Sequence, residues 1–273
     1  MRIFDTHCHL ADPAFDDDLP EVIARMREAG VCRANVVCDP CEEIPNVEKA
    51  FALAERYDFL TVSVGVHPHN ASRWSQETES ILRERLSHPK CVLLGEIGLD
   101  YHYDFSPRED QRRVFEKQLE LAYETDVPVQ LHIREAHEDA MEILGEKTRI
   151  GRMPRGIVHC FTGTWAEAEF YLSCGFYVSF SGAVTFKNAA AIAEAAKNVP
   201  EEKLLIETDC PYMSPVPLRG RRNEPAYVAR TLEKVAALRG ESVEACAARV
   251  YENSLRILGV NVERARQEST KTH

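Results

Sequence analysis

The sequence predicts a single-domain α/β fold, a (β/α)8 TIM barrel with one additional C-terminal helix. Three observations carry that expectation. Apolar, β-branched runs alternate with segments of helical period along nearly the whole chain, the alternation repeats eight times, and residues of metal-ligand type recur where the strands end. An open doubly wound sheet is the alternative, but no Gly-x-Gly-x-x-Gly follows any strand. No linker or repeat divides the chain, so one barrel over residues 1–263 is expected, followed by a polar, frayed tail at 264–273.

The elements are read in order. The apolar run after Met1 and Arg2 is the first strand, ending in His7-Cys8-His9. Residues 19–30 form a helix closed by Gly30, with Asp16, Asp17 and Asp18 placed to favour its N-terminus. Strands follow at 32–38, 60–66 and 91–96, and helices at 47–57, 77–86 and 108–125. The fifth strand, 127–133, is interrupted early by Pro128, and a helix at 135–146 comes after it. Short strands at 156–159, 176–181 and 204–208 alternate with helices at 166–173, 189–198 and 226–238, and a last helix spans 243–258.

Composition bounds the function classes. The chain has 273 residues, 44% of them hydrophobic and 28% charged, with a mean hydropathy of −0.33. That is the profile of a water-soluble globular protein, and 273 residues suffice for one barrel. No apolar run reaches the roughly 20 residues that cross a bilayer, and no signal peptide is read, so a cytoplasmic location is expected. Nine cysteines at irregular spacing argue against a secreted disulfide framework. Cys38-Asp39-Pro40-Cys41 is a lone Cys-x-x-Cys: a redox pair or half a zinc site, or simply two thiols where a strand meets a loop. Cys8, Cys160 and Cys210 each follow a candidate ligand, and alternation should turn them into packing. The net charge of −11 repels polyanions, so a nucleic-acid substrate needs local basic patches. Arg149, Arg152 and Arg155 make one, and Arg219-Gly220-Arg221-Arg222 another, unless they are ordinary solvated loops.

Six residues are candidate metal ligands: His7, His9, Glu96, His132, His159 and Asp209. In an extended chain His7 and His9 share a face, together with Asp5. Singly, His132 or His159 reads as well as a satisfied core histidine. An ionised Glu96 in an apolar strand is costly unless a cation accompanies it, and the same holds for Asp209. In a barrel the C-terminal strand ends converge on one face, which gathers all six. Four imidazoles and two carboxylates exceed one four-coordinate ion and suit two, since a carboxylate can bridge a metal pair. Mixed nitrogen and oxygen ligation suits Zn²⁺, Mn²⁺ or Ni²⁺, with Mg²⁺ also open.

The motifs Phe4-Asp5-Thr6-His7-Cys8-His9, Gly65-Val66-His67-Pro68-His69, Gly95-Glu96-Ile97-Gly98-Leu99-Asp100-Tyr101, Leu131-His132-Ile133-Arg134, His159-Cys160-Phe161-Thr162-Gly163, Glu207-Thr208-Asp209-Cys210-Pro211-Tyr212 and Arg222-Asn223-Glu224-Pro225 span nearly the whole chain. Together they resemble the TatD-type metal-dependent deoxyribonucleases of the amidohydrolase superfamily. The resemblance implies a barrel with two divalent metal ions, His7, His9, Glu96 and Asp209 on one, and Glu96, His132 and His159 on the other. Glu96 stands where many superfamily relatives carry a modified lysine. The implied activity is hydrolysis of DNA phosphodiesters from the 3′ end.

On that reading Asp209 is the candidate general base and Glu96 the bridging carboxylate. His67 is a candidate for the scissile phosphate or leaving group. Arg222 is a candidate for positioning substrate, with a loop–helix tie as its plainer role and Glu224 as a residue that holds it. The expected partner is DNA, single-stranded or at 3′ ends, with no membrane and no obligate protein partner. An amidohydrolase-type hydrolase of a small ester, lactone, amide or aminoacyl bond would use the same metals. A metal-binding interaction protein without turnover is the reading from a different class.

Overall fold

The computed structural model describes residues 1–42 and 46–260. Among the described residues, eight parallel strands stand in sequence order in one sheet: β1 (Ile3–Cys8), β2 (Val31–Cys38), β3 (Leu60–Val64), β4 (Cys91–Asp100), β5 (Val129–Arg134), β6 (Gly156–Val158), β7 (Tyr177–Phe180) and β8 (Leu204–Ile206). The helices between and after them are α1 (Leu19–Glu28), α2 (Val47–Arg56), α3 (Gln76–Leu86), α4 (Arg108–Thr125), α5 (His137–Arg149), α6 (Trp165–Ser173), α7 (Ala190–Asn198), α8 (Val228–Arg239) and α9 (Val243–Ile257). This is the (β/α)8 barrel expected from the alternation, with α9 as the additional helix. The proposed tail at 264–273 lies outside the described residues.

Local chemistry sets several boundaries. Thr164 and Glu167 form a capping box at the start of α6 and satisfy two amides that a helix leaves without partners. Ser75 and Ser242 cap α3 and α9 by accepting from Thr78 N–H and Ala245 N–H. The expected start of α5 at residue 135 is displaced, because Glu135 adopts a left-handed φ of 53° and the helix begins at His137. β5 begins at Val129, since Pro128 has no N–H to give a strand ladder.

The largest departure from expectation is in β4, which does not end at Glu96. Gly95 pairs with Gln130 and Ile97 with Leu131, so Glu96 is an extra residue with no partner, a β-bulge. The bulge reverses the facing of the strand. Leu93 points into the barrel floor, and alternation would turn Glu96 outward beside Leu94. Instead Ile97 and Leu99 take the outward positions against the helices, and Glu96 is delivered inward. Gly98 makes the tight approach to β5 possible, at φ +145°, where an added Cβ would sit 2.0 Å from the carbonyl oxygen of His132.

The barrel's N-terminal mouth is plugged. Phe4, Leu93, Ile157, Tyr177 and Leu205 meet Tyr251, Leu255, Ile257 and Leu258 of α9 and the residue after it in one buried apolar cluster. Each such large side chain contributes roughly 1.5–3 kcal/mol by leaving water. Above this floor the interior is polar: Asn35 donates to Ser63, Gln130 to the Thr6 carbonyl, and Thr6 to the Ile206 carbonyl, at 3.0 Å each. Each of these side chains is buried and hydrogen-bonded, as buried polar groups are.

Closure between β8 and β1 is made by the residues just beyond β8. Asp209 N–H donates to the His7 carbonyl at 2.9 Å and His9 N–H to the Cys210 carbonyl at 2.8 Å. Asp5, buried in this seam, accepts from Thr208 N–H at 2.8 Å and lies 2.5 Å from its hydroxyl. Burial pushes the Asp5 carboxyl up to about 8, so it sits neutral in the seam at pH 7.

Candidate metal centre

All six candidate ligands meet at the C-terminal end of the barrel, although their elements are far apart in sequence. His7 lies in β1 and His9 just past it, Glu96 in the β4 bulge, and His132 in β5. His159 directly follows β6, and Asp209 lies three residues past β8 in a left-handed conformation, φ 59°.

Glu96 stands at the centre, with its two oxygens facing different histidines. Oε2 lies 3.5 Å from His7 Nε2 and 4.0 Å from His9 Nε2. Oε1 lies 2.6 Å from His132 Nδ1 and 2.7 Å from His159 Nε2. Asp209 Oδ1 completes the first group, at 3.5 Å from His7 Nε2 and 3.4 Å from His9 Nε2. Within each group the nitrogens also face one another, His7 and His9 at 3.1 Å and His132 and His159 at 3.4 Å.

Converging lone pairs of this kind are what a cation satisfies. Burial, and repulsion from His159 stacked on it at 3.9 Å, hold His7 well below the usual imidazole range, so it is neutral and its Nδ1 is a buried polar atom without a hydrogen-bond partner. Burial disfavours charge on Glu96, yet the surrounding imidazoles, His159 first, keep it well below the usual carboxylate range. Asp209 is likewise lowered against its burial, chiefly by His9. Against burial, the acids raise His9, through Asp209, and His159, through Glu96 and Glu207, so protons gather where divalent cations would take their place. The nitrogen-rich donor set fits Zn²⁺, Mn²⁺ or Ni²⁺ better than Ca²⁺.

Behind the ligands stand two carboxylates to which the sequence reading gave no role. Glu207 is fully buried and lies 3.1 Å from His159 Nδ1, and Asp100 Oδ2 lies 3.1 Å from His132 Nε2 and 2.8 Å from His69 Nε2. Each fixes which ring nitrogen turns inward, the usual office of a carboxylate behind a metal-binding histidine. Asp100 is held below its ordinary range against burial by His132 and His69, and His132 is raised against burial by Asp100 and Glu96. Their signal was available, because an acid in a run as apolar as Leu204-Leu205-Ile206-Glu207 needs a partner.

His67 sits at the rim, with Nε2 3.5 Å from Glu96 Oε1. Burial lowers it to about 4, so the ring is neutral at pH 7. Its Nδ1 accepts from His69 N–H at 3.1 Å, which leaves the proton on Nε2, pointing into the site. Arg222 is not gathered with the ligands. Its guanidinium donates twice to Asp18, at 2.7 Å each, and once to the Ala14 carbonyl at 2.6 Å, tying the loop after β8 to the start of α1. Glu224 holds Arg25 rather than Arg222.

Among the cysteines, Cys8 and Cys210 are buried in packing as expected. Cys160 departs from expectation: a left-handed φ of 42° breaks the alternation, its N–H donates to Glu207, and it stays partly exposed. Cys38 and Cys41 are free thiols directed at different partners, the Ser63 carbonyl and Thr78. Of the arginines at 149–155, Arg152 pairs with Glu120 and Arg155 with Asp126.

Barrel, inward-facing imidazoles and buried acids together define a metal-dependent hydrolase. The chain belongs to the TatD related DNase family, whose model matches residues 4–259. It is 41% identical to the "Uncharacterized metal-dependent hydrolase YabD" of Bacillus subtilis over 95% of this chain and 100% of that protein. It is 37% identical to the "3'-5' ssDNA/RNA exonuclease TatD" of Pantoea ananatis over 94% of this chain and 100% of that one. The crystal structure of YJJV, a TatD homologue from Escherichia coli K12, matches with a TM-score of 0.87 at 31% identity, covering 95% of this chain and 99% of that one. Among the described residues no helix is long and apolar enough to cross a membrane.

Proposed function

We propose that this protein hydrolyses phosphodiester bonds of DNA, working from the 3′ end of single strands with two divalent cations. His7, His9, Asp209 and Glu96 Oε2 would hold one cation, and His132, His159 and Glu96 Oε1 the other. Bound there, such ions supply Lewis-acid polarisation of a phosphoryl oxygen and make water easier to deprotonate. The observation that carries the reading is the division of Glu96, one oxygen to each histidine group. The name of the Pantoea ananatis relative supports a single-stranded substrate attacked from the 3′ end.

The chain's own groups have distinct tasks. Asp209, lowered and therefore ionised, keeps lone pairs to receive a proton from the attacking water. His67, neutral with its proton on Nε2, donates a hydrogen bond to a phosphoryl or leaving oxygen. Glu207 and Asp100 hold His159 and His132 in register. Arg222 shapes the rim through Asp18 rather than by touching substrate. Unpaired buried thiols such as Cys8, Cys38 and Cys210 suit a reducing compartment and support a cytoplasmic location.

The test is Glu96→Ala, assayed for bound metal and for turnover of a 3′-labelled single-stranded oligonucleotide beside a panel of small esters, with and without chelator. Expected are chelator-sensitive cleavage by the parent protein and loss of both metal and turnover in the variant. Unchanged metal content overturns the bridging role. Hydrolysis confined to the small esters overturns the substrate.

A further inference from the structure

We propose that Tyr103 and Phe105 form a platform on which a nucleobase of the substrate strand stacks, with Arg134 beside it for an adjoining phosphate. The inference rests on the DNA reading above and names the part of the molecule that would grip the strand.

The loop between β4 and α4, residues 101–107, leaves the barrel on the same face as the ligands. Two large aromatic side chains stand in water on it, Tyr103 with 49% and Phe105 with 68% of its surface exposed. Their rings stack on each other, 5.1 Å between centroids and 3° from parallel, so they present one continuous apolar surface. Exposing such surface forgoes the gain from burying it. A loose loop would fold these rings inward, but this loop is bolted down. Asp100 Oδ1 accepts from His102 N–H at 2.9 Å and Tyr103 N–H at 3.1 Å. Buried Ser106 donates to the His69 carbonyl at 2.7 Å and accepts from Ser72 N–H at 3.0 Å, and buried Gln111 donates to the Ser106 carbonyl at 2.9 Å.

The platform adjoins the candidate centre. His69 stands edge-on to Phe105 at 4.8 Å between centroids, and through Asp100 it shares a carboxylate with His132. One imidazole therefore separates the exposed rings from a candidate ligand. Arg134, two residues after His132, lies with its guanidinium carbon 4.8 Å from the Tyr103 ring centroid and makes no ion pair with any described residue. With Arg134 over Tyr103 and Phe105 the more exposed ring, the stack offers an aromatic face for a base and a guanidinium without a carboxylate partner for the phosphate that follows. Every base has a π face, so the grip tolerates any sequence, as an enzyme trimming successive nucleotides requires.

The experiment measures binding of a fluorescent oligothymidylate in chelator, where nothing is cleaved, and then KM and kcat with metal restored. Because both rings are exposed, Phe105→Ala and Tyr103→Ala are not expected to disturb folding. Each should weaken binding about tenfold and raise KM to match while leaving kcat near the parent value. Phe105→Trp should restore affinity. An abasic strand of the same length should bind the parent and both alanine variants equally weakly. Parent affinity retained in both alanine variants overturns the platform and leaves the DNA reading standing. An equal loss on the abasic strand also overturns it. A parent protein that neither binds nor cleaves any oligonucleotide overturns both.

Discussion

Glu207 Oε1 lies 3.1 Å from Nδ1 of His159, and the same oxygen receives the Cys160 N–H at 2.6 Å. A buried carboxylate thus decides which face of His159 meets Glu96. Glu207→Gln keeps an acceptor in place and removes the charge. Metal affinity, read by calorimetric titration, should fall about 10–100-fold, with turnover recovering at high metal. Unaltered affinity would remove Glu207 from the site's support.

His67→Asn separates two roles for that imidazole. Asparagine retains an oxygen to accept from the His69 amide, as the ring nitrogen does now, but brings no Nε2–H to the site. kcat should drop about 10²-fold or more, with bound metal unchanged. Loss of a metal ion in this variant would instead make His67 a ligand.

The glycine before Leu99 is needed for shape alone. In Gly98→Ala the new methyl would meet the His132 carbonyl oxygen at 2.0 Å, in a backbone conformation side chains rarely adopt. Strain of this kind costs about 1–3 kcal/mol, and the clash with backbone adds to it. Urea unfolding should show a loss of about 3 kcal/mol or more, accompanied by weaker metal binding as β5 is pushed away. A parent-like midpoint would mean β4 and β5 have room to part.

Asp18 gives a pH signature away from the centre. Arg222 first, then Arg25, hold it at about 2, whereas an unfolded aspartate titrates at about 3.9. The folded value is the lower one, so the stabilisation is complete above pH ~4, shrinks as pH falls, and is gone below about 2. Asp18→Asn should unfold at lower urea than the parent at pH 7, and the gap should close near pH 2. The carboxylate is partly in water, so the gap is modest and shrinks with salt. A gap that persists at pH 2 would point to shape rather than charge.

Much of this was legible in the residues themselves. The alternation of periods gave the barrel, and α4 runs over the residues its pattern indicated, Arg108 to Thr125. The six candidate ligands stood out because imidazoles and acids interrupt apolar strands, and the structure brings them together. What stayed hidden depends on three dimensions. A charged residue in an apolar run reads as the end of a strand, so the bulge at Glu96 was invisible, since only the pairing partner reveals an extra residue. Asp100 and Glu207 carry no spacing signal toward the histidines they support, which lie 32 and 48 residues away. Arg222 read equally as a substrate contact or a loop–helix tie, because its partner, Asp18, lies 204 residues earlier.

The joint between β8 and β1 has a consequence for how the protein is made. His7 and Asp209 are linked through their own backbones, the earliest and latest members of the cage. A nascent chain that stops before β8 therefore has an open cylinder and lacks Asp209. Fragments that end before Asp209 should therefore lack the activity proposed for the complete site.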